Sequence, residues 1–240
     1  MECVKFNLFG RVAHFKNPEN NNEVEFTFNN IHKPALLGIL GAILGLDGRN
    51  KIKENGYLEF YEKLKKIKVS IVPKKIIFDK FIEEINNSSG LANNGMSQQV
   101  KKQCLNNPSW DIYILKNDLE LELWNLLVTN LINGTSKFNI SLGRKKYVAN
   151  IKNVEYLDIP RKEVDFVKCD SLISEKVIYN ISSELYNPNS IEFKLVEKLP
   201  VSLNKLTLYE KEKFIFTSYK LIINDTKNMF NIQNKYLYFF

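Results

Sequence analysis

Val4-Lys5-Phe6-Asn7-Leu8-Phe9-Gly10 and, beyond an Asn-rich loop at 17–22, Pro34-Ala35-Leu36-Leu37-Gly38-Ile39-Leu40-Gly41-Ala42-Ile43-Leu44-Gly45-Leu46 decide the fold. In the first stretch Val4, Phe6 and Leu8 alternate with Lys5 and Asn7, the period of a half-buried strand, and Gly10 ends it. In the second, Pro34 stands where a helix begins without losing a hydrogen bond, and the apolar run 35–46 reads as a buried helix. Gly38, Gly41 and Gly45 recur at helical spacing, which leaves one face nearly bare for close packing against a sheet or another backbone.

Working outward, Tyr57, Phe60, Tyr61 and Leu64 fall at i, i+3, i+4 and i+7 and predict a second helix. Ile67, Val69 and Ile71 alternate with Lys68 and Ser70 as a strand. Between Phe81 and Trp110 the chain turns polar: Asn86-Asn87-Ser88-Ser89-Gly90, Asn93-Asn94-Gly95, Gln98-Gln99 and Lys101-Lys102. So long a stretch inside a compact domain is usually functional or mobile, and its Asn-Gly step suits a hairpin projecting from the body. With Leu91, Met96 and Val100 as its few apolar residues, 86–107 is expected to be poorly ordered by itself. Residues 112–115 read as a buried strand, and Trp124, Leu127, Val128 and Leu131 mark a helix opened by Asp118 and closed by Asn133-Gly134. From Tyr147 onward the period is mainly two: Ile191, Phe193 and Leu195 predict one strand, and Phe214 and Phe216 lie in a β-rich run ending near Ile223. This order predicts an α+β fold, ferredoxin-like in its first half and antiparallel sheet in its second.

With 240 residues, 44% of them apolar, 16 Phe, 11 Tyr and 7 Pro, the chain builds a sizeable core and is neither disordered nor a small disulfide scaffold. A net charge of +7 points to an anionic partner. The pointer is weakened because 30 Lys against 4 Arg, together with 30 Asn, is what AT-rich coding produces. Cys3, Cys104 and Cys169 have no paired spacing, so a reduced intracellular chain with no metal and no cofactor is expected. The longest apolar stretch, 35–46, falls short of the ~20 residues of a membrane span, and a cytoplasmic protein is the expectation.

No phosphate loop, dinucleotide fingerprint, zinc-protease motif or nucleophile elbow is present. His14 and His32 have no metal-ligand spacing; either suits general-base RNA cleavage, although a surface or hydrogen-bonded imidazole without chemistry is the plainer reading. Arginine is more informative. Three of the four follow a glycine, in Gly10-Arg11, Gly48-Arg49 and Gly143-Arg144, and a guanidinium beside a closely approachable backbone suits a phosphate. Lys145 and Lys146 concentrate further charge after Arg144.

The opening Phe6-Asn7-Leu8-Phe9-Gly10-Arg11-Val12-Ala13-His14-Phe15-Lys16, the run from Lys33-Pro34 to Gly45-Leu46, and Ser141-Leu142-Gly143-Arg144-Lys145-Lys146-Tyr147 resemble, in the same order, segments of Cas family five. This is the RAMP-type CRISPR-associated subunit that caps the 5′ end of the guide RNA in type I Cascade. The resemblance implies an RRM-like domain at 1–150 with a hairpin thumb at about 86–109, then a smaller β-rich domain at 151–240. It implies a non-catalytic, type I-B-like subunit that holds the crRNA 5′ handle and contacts the large and backbone subunits. Target DNA near the flanking motif is left open as a further partner. The candidate RNA contacts are Arg11, His14, Lys33, Arg49, Lys101, Lys102, Gly143, Arg144, Lys145 and Lys146. The alternative is a metal-independent endoribonuclease processing precursor crRNA, as in the type I-C branch, whose His, Lys and Tyr share one site. No histidine neighbours Lys101-Lys102 or Lys145-Lys146 in the sequence, and the RNP1 signature of sheet-stacking RNA readers is missing.

Overall fold

The computed structural model describes residues 1–19, 23–48, 58–87, 98–116, 119–159 and 168–240, with only the backbone of Asn87 and Gln98. Arg49, Tyr57, Asp118 and the Asn93-Asn94-Gly95 turn, all singled out above, lie outside the described residues. The elements are β1 (Glu2–Phe9), β2 (Val12–Ala13), β3 (Val24–Glu25), α1 (Lys33–Leu44), α2 (Glu59–Leu64), β4 (Lys68–Pro73), β5 (Lys80–Asn87), β6 (Gln98–Asn106), β7 (Ser109–Leu115), α3 (Leu121–Asn133) and β8 (Asn150–Asp158). There follow β9 (Ile173–Ser174), a single 3-10 turn, β10 (Ile178–Leu185), β11 (Lys194–Leu203), β12 (Tyr209–Thr217), β13 (Tyr219–Ile223), β14 (Met229–Ile232) and β15 (Lys235–Tyr238). The fold is mixed α+β and its sheets are mostly antiparallel.

The main sheet runs β4-β7-β1-β8, entirely antiparallel. Register sets Val4 opposite Ile114 and Phe6 opposite Ile112, so alternate residues of β1 and β7 share a face. That face and Val69 and Ile71 of β4 pack on Leu36, Leu37, Leu40 and Ile43 of α1 and on Trp124 and Leu127 of α3. β8 completes this sheet by pairing with β1.

α1 starts one residue before Pro34: His32 is the N-cap, its Nδ1 accepting from the Ala35 amide at 3.2 Å. Gly45, expected on the bare helix face, instead closes α1 as a left-handed C-cap, φ +80°. Gly41 does serve close packing, since a Cβ there would stand 2.5 Å from Phe60. α3 ends on left-handed Gly134, as its sequence predicts.

The other face of the main sheet is also covered. The β14/β15 hairpin and Phe239 close a second core with Cys3, Val72, Tyr113 and Leu115, which is why Ser70, Asn7 and Asp111 are buried although alternation places them outward. Lys235 on this hairpin reaches Asp111 at 3.3 Å, and Phe240 exchanges two backbone hydrogen bonds with Val69. The C-terminal aromatic run is therefore a lid on the sheet.

β5 and β6, between β4 and β7 in the chain, form an antiparallel pair. β6 also pairs with β2 and β3, and Cys104 and Leu105 are fully buried, so the C-terminal part of 86–107 is anchored core and corrects the expectation of a segment poorly ordered throughout. In the second half β11, β12 and β9 form one sheet and β10 and β13 another, all antiparallel. β11 starts at Lys194, and Ile191, expected inside it, is 74% exposed. Leu199, Leu203 and Phe214 join the main core, and the Leu203 amide donates to the Tyr61 hydroxyl at 2.7 Å.

Candidate nucleic-acid interface

Two Gly-Arg dipeptides far apart in sequence fold against one another. At Gly10, just past β1, a Cβ would stand 2.7 Å from Leu142 Cδ1 and 2.8 Å from the Val148 carbonyl oxygen. At Gly143, φ is +90° and a Cβ would lie 2.0 Å from the His14 carbonyl oxygen, so a side chain is excluded by conformation and by space. The 141–148 loop closes on itself through Leu142 N–H to Tyr147 O at 2.8 Å and Tyr147 N–H to Arg144 O at 2.9 Å. The His14 amide donates to Leu142 O at 3.1 Å and locks the loop to the strand after Arg11.

The cations of this loop meet carboxylates of the same chain. Arg144 Nη2 donates to Glu25 Oε2 at 2.8 Å, and Lys16 Nζ donates to Glu25 Oε1 at 2.7 Å. Lys102 Nζ lies 3.9 Å and His14 Nε2 3.6 Å from Glu25 Oε2. Burial pushes the Glu25 carboxyl up, but Lys16, Arg144 and Lys102 together outweigh it and hold it below its ordinary value. Burial, then Arg144, lowers the Lys102 ammonium. Lys146 and the Tyr147 hydroxyl both donate to Glu83 Oε2 on β5, which staples the loop to the β5/β6 pair. Burial, with Cys104 and Glu83 adding to it, raises the Tyr147 hydroxyl.

His14 Nδ1 lies 2.8 Å from Gln103 O, so this nitrogen carries the proton and donates, leaving the neutral ring's Nε2 as a bare acceptor. Burial lowers its pKa against the Gln103 bond, and Arg144 lowers it further. The structure thus corrects the expectation that no histidine neighbours Lys101-Lys102. Yet both imidazoles are buried: His14 is 1% exposed, and His32 caps α1 among Phe15, Phe28 and Tyr209.

Of the candidate residues, His14, Lys102, Gly143 and Arg144 come together around Glu25. Lys146 is turned to Glu83, and Lys101 pairs with Glu84 at 3.3 Å. Lys33 lies apart from them: its Nζ donates to Phe240 O at 2.9 Å, and burial with Lys68 nearby pushes it down to about 8. Arg11 and Lys145 are exposed, without a side-chain partner among the described residues. Lys16 and Glu25 were not singled out from sequence. Lys16 stands in the opening motif, but nothing local to Glu25 announces that the parallel β3–β6 pairing sets it beside Lys102.

Lys16 and Arg144 also edge a groove of about 580 Å³ between α1, the 138–144 loop and the β11–β12 end. Its floor is Ala35, Gly38, Ile39 and Ala42 of α1, flanked by Phe60, Phe138 and Tyr209. An apolar floor with two cations at the rim accommodates a ligand with a flat apolar part and an anionic group. Among the described residues no group of three or more His, Cys, Asp or Glu could hold a metal ion, and no helix is long and apolar enough to cross a membrane.

No protein-family model and no curated protein matches this chain. Solved structures do match. A CRISPR protein from Archaeoglobus fulgidus is similar over 99% of this chain and 98% of its own, with a TM-score of 0.51 and 9% identity. A chain of a type III-B Cmr-beta complex bound to cognate target RNA and AMPPnP is similar over 92% and 86%, with a TM-score of 0.52 and 10% identity. A chain of a CRISPR RNA-guided surveillance complex is similar over 92% and 91%, with a TM-score of 0.50 and 10% identity. At such identities the likeness is one of fold, and it is to CRISPR-associated proteins that the fold is similar.

Proposed function

We propose that this chain is a non-catalytic, RNA-binding subunit of a CRISPR-associated ribonucleoprotein, of Cas family five and most like type I-B. It holds the 5′ handle of the guide RNA and docks on the large and backbone subunits. The observation that carries the reading is the convergence of Lys16, Lys102 and Arg144, from three distant segments, on Glu25, with Lys16 and Arg144 at one rim of an apolar groove. Three cations against one carboxylate leave a local surplus of positive charge, which attracts phosphates without reading bases. Consistent with it, the strand order β4-β7-β1-β8 with α1 and α3 in the crossovers follows the βαββαβ plan of a ferredoxin-like domain, and β5/β6 is inserted where a thumb is expected. The covered sheet leaves no platform for base stacking, so contacts fall to loops.

The endoribonuclease alternative draws on His14 beside Lys102, but general acid-base work needs the imidazole within hydrogen-bond reach of substrate, and this ring has no exposed edge. Titrating the full chain with handle RNA in EDTA tests both readings. Binding is expected, with the RNA recovered intact. Arg144→Ala weakens it by ~1.5–3 kcal/mol, the range for hydrogen bonds to charged groups. No binding by the wild type, or specific cleavage, overturns the proposal.

A further inference from the structure

Glu25 is surrounded in a way that a carboxylate fills poorly. Its two oxygens meet three cations: Lys16 takes Oε1 at 2.7 Å, Arg144 takes Oε2 at 2.8 Å, and Lys102 stops 3.9 Å from Oε2, beyond hydrogen-bond distance. Lys102 Nζ, on a side chain only 11% exposed, makes no hydrogen bond among the described residues. His14 Nε2, fully buried, also lacks a partner and faces Glu25 Oε2 at 3.6 Å. In the neutral ring that nitrogen and the carboxylate oxygen are both acceptors, so nothing binds Glu25 from that side. The cations outnumber the charge that holds them, and the buried His14 Nε2 is left unsatisfied.

We propose that Lys16, Lys102 and Arg144 form a site for one phosphate group, which Glu25 occupies as a stand-in in the free chain and vacates on binding. A phosphate spreads its oxygens tetrahedrally, and each charged oxygen accepts more than one hydrogen bond, so it spans all three cations, including the one the carboxylate does not reach. The way in exists: Lys16 and Arg144 line the groove, and Glu25, 19% exposed, rides on the two-residue strand β3 and swings toward solvent by side-chain rotation. The functional phosphate rests on the RNA-binding reading above and is then a phosphodiester of single-stranded RNA. Glu25 acts as a threshold, keeping the cluster from weak anions until a phosphate displaces it.

The test uses the full chain, wild type and Glu25→Gln, with two probes: a short single-stranded RNA and inorganic phosphate. Removing a negative charge about 4 Å from the incoming phosphate tightens RNA binding about fivefold. It also steepens the dependence of log affinity on log salt by up to ~0.7, the share of one phosphate on a single strand. Inorganic phosphate raises the Tm of Glu25→Gln more than that of wild type, by mass action on the folded state, and Glu25→Gln combined with Arg144→Ala loses both gains. Glu25→Asp, which keeps the charge on a shorter arm, falls between and serves if the glutamine variant folds poorly. If neither chain binds RNA but phosphate still raises the Tm of Glu25→Gln, the RNA reading falls and the site stands. Unchanged RNA affinity and salt slope in a folded Glu25→Gln, with no phosphate-dependent gain in Tm, refute the site.

Discussion

Replacing Gly143 by alanine tests whether the loop that carries Arg144 is held by backbone contact. The left-handed φ of +90° costs a residue with a Cβ ~1–2 kcal/mol. The new Cβ also lands 2.0 Å from the His14 carbonyl oxygen and 2.8 Å from its carbon, backbone atoms that cannot swing aside as a side chain does. The two segments must part by about an ångström, which sacrifices the His14 N–H to Leu142 O bond and loosens Arg144 from Glu25. Each such hydrogen bond is worth ~0.5–1.5 kcal/mol, so the total is ~2–5 kcal/mol. For a domain of this size ~1 kcal/mol moves Tm by ~2–4 °C, and thermal unfolding of Gly143→Ala is expected ~4–20 °C below wild type. Gly134→Ala supplies the control. Its φ of +64° carries the same conformational penalty, but nothing lies within 4 Å of the added methyl, so a fall of only ~2–8 °C is expected. A Gly143→Ala variant no less stable than Gly134→Ala would falsify the clash argument and release the loop from its assigned anchor.

Glu197 is half-buried and accepts from the Asn29 amide and from the side chains of Asn29 and Asn30; burial raises its pKa against these bonds. Since the folded-state pKa lies above the unfolded one, its stabilising contribution is present below the unfolded value of about 4.3 and is lost as pH rises through the folded value. The Tm of wild type relative to Glu197→Gln should therefore fall as pH rises above about 4, and a difference that stays flat contradicts the assignment. Phe239, fully buried against Phe230 at 5.4 Å, is the keystone of the second core, and Phe239→Ala should cost ~3–5 kcal/mol in urea unfolding. A loss under ~1 kcal/mol would mean that the C-terminal lid is not closed.

Local pattern determined much of this protein. Alternation at Val4, Phe6 and Leu8, helical spacing from Phe60 to Leu64 and in α3, and the Gly134 stop each depend on residues within a turn or two, so the sequence places them without knowing the fold. It also marked Gly10-Arg11 and Gly143-Arg144 as special, and glycine is indeed required at both positions. It did not reveal what the cations would meet. Lys146 and Arg144 read as free phosphate ligands in a row of charges, but pairing across β3, β5 and β6 sets Glu25 and Glu83 against them. The same holds for His14, brought beside Lys102 by strand pairing and buried by it, and for Ser70 and Asp111, which alternation sends to solvent and the β14/β15 hairpin covers. Hydrophobic period records how one element faces its nearest core. Ion pairing, desolvation and the covering of a second face come from segments far away in the chain, 63 residues for Lys146 and Glu83 and 119 for Arg144 and Glu25, and only the packed chain decides them.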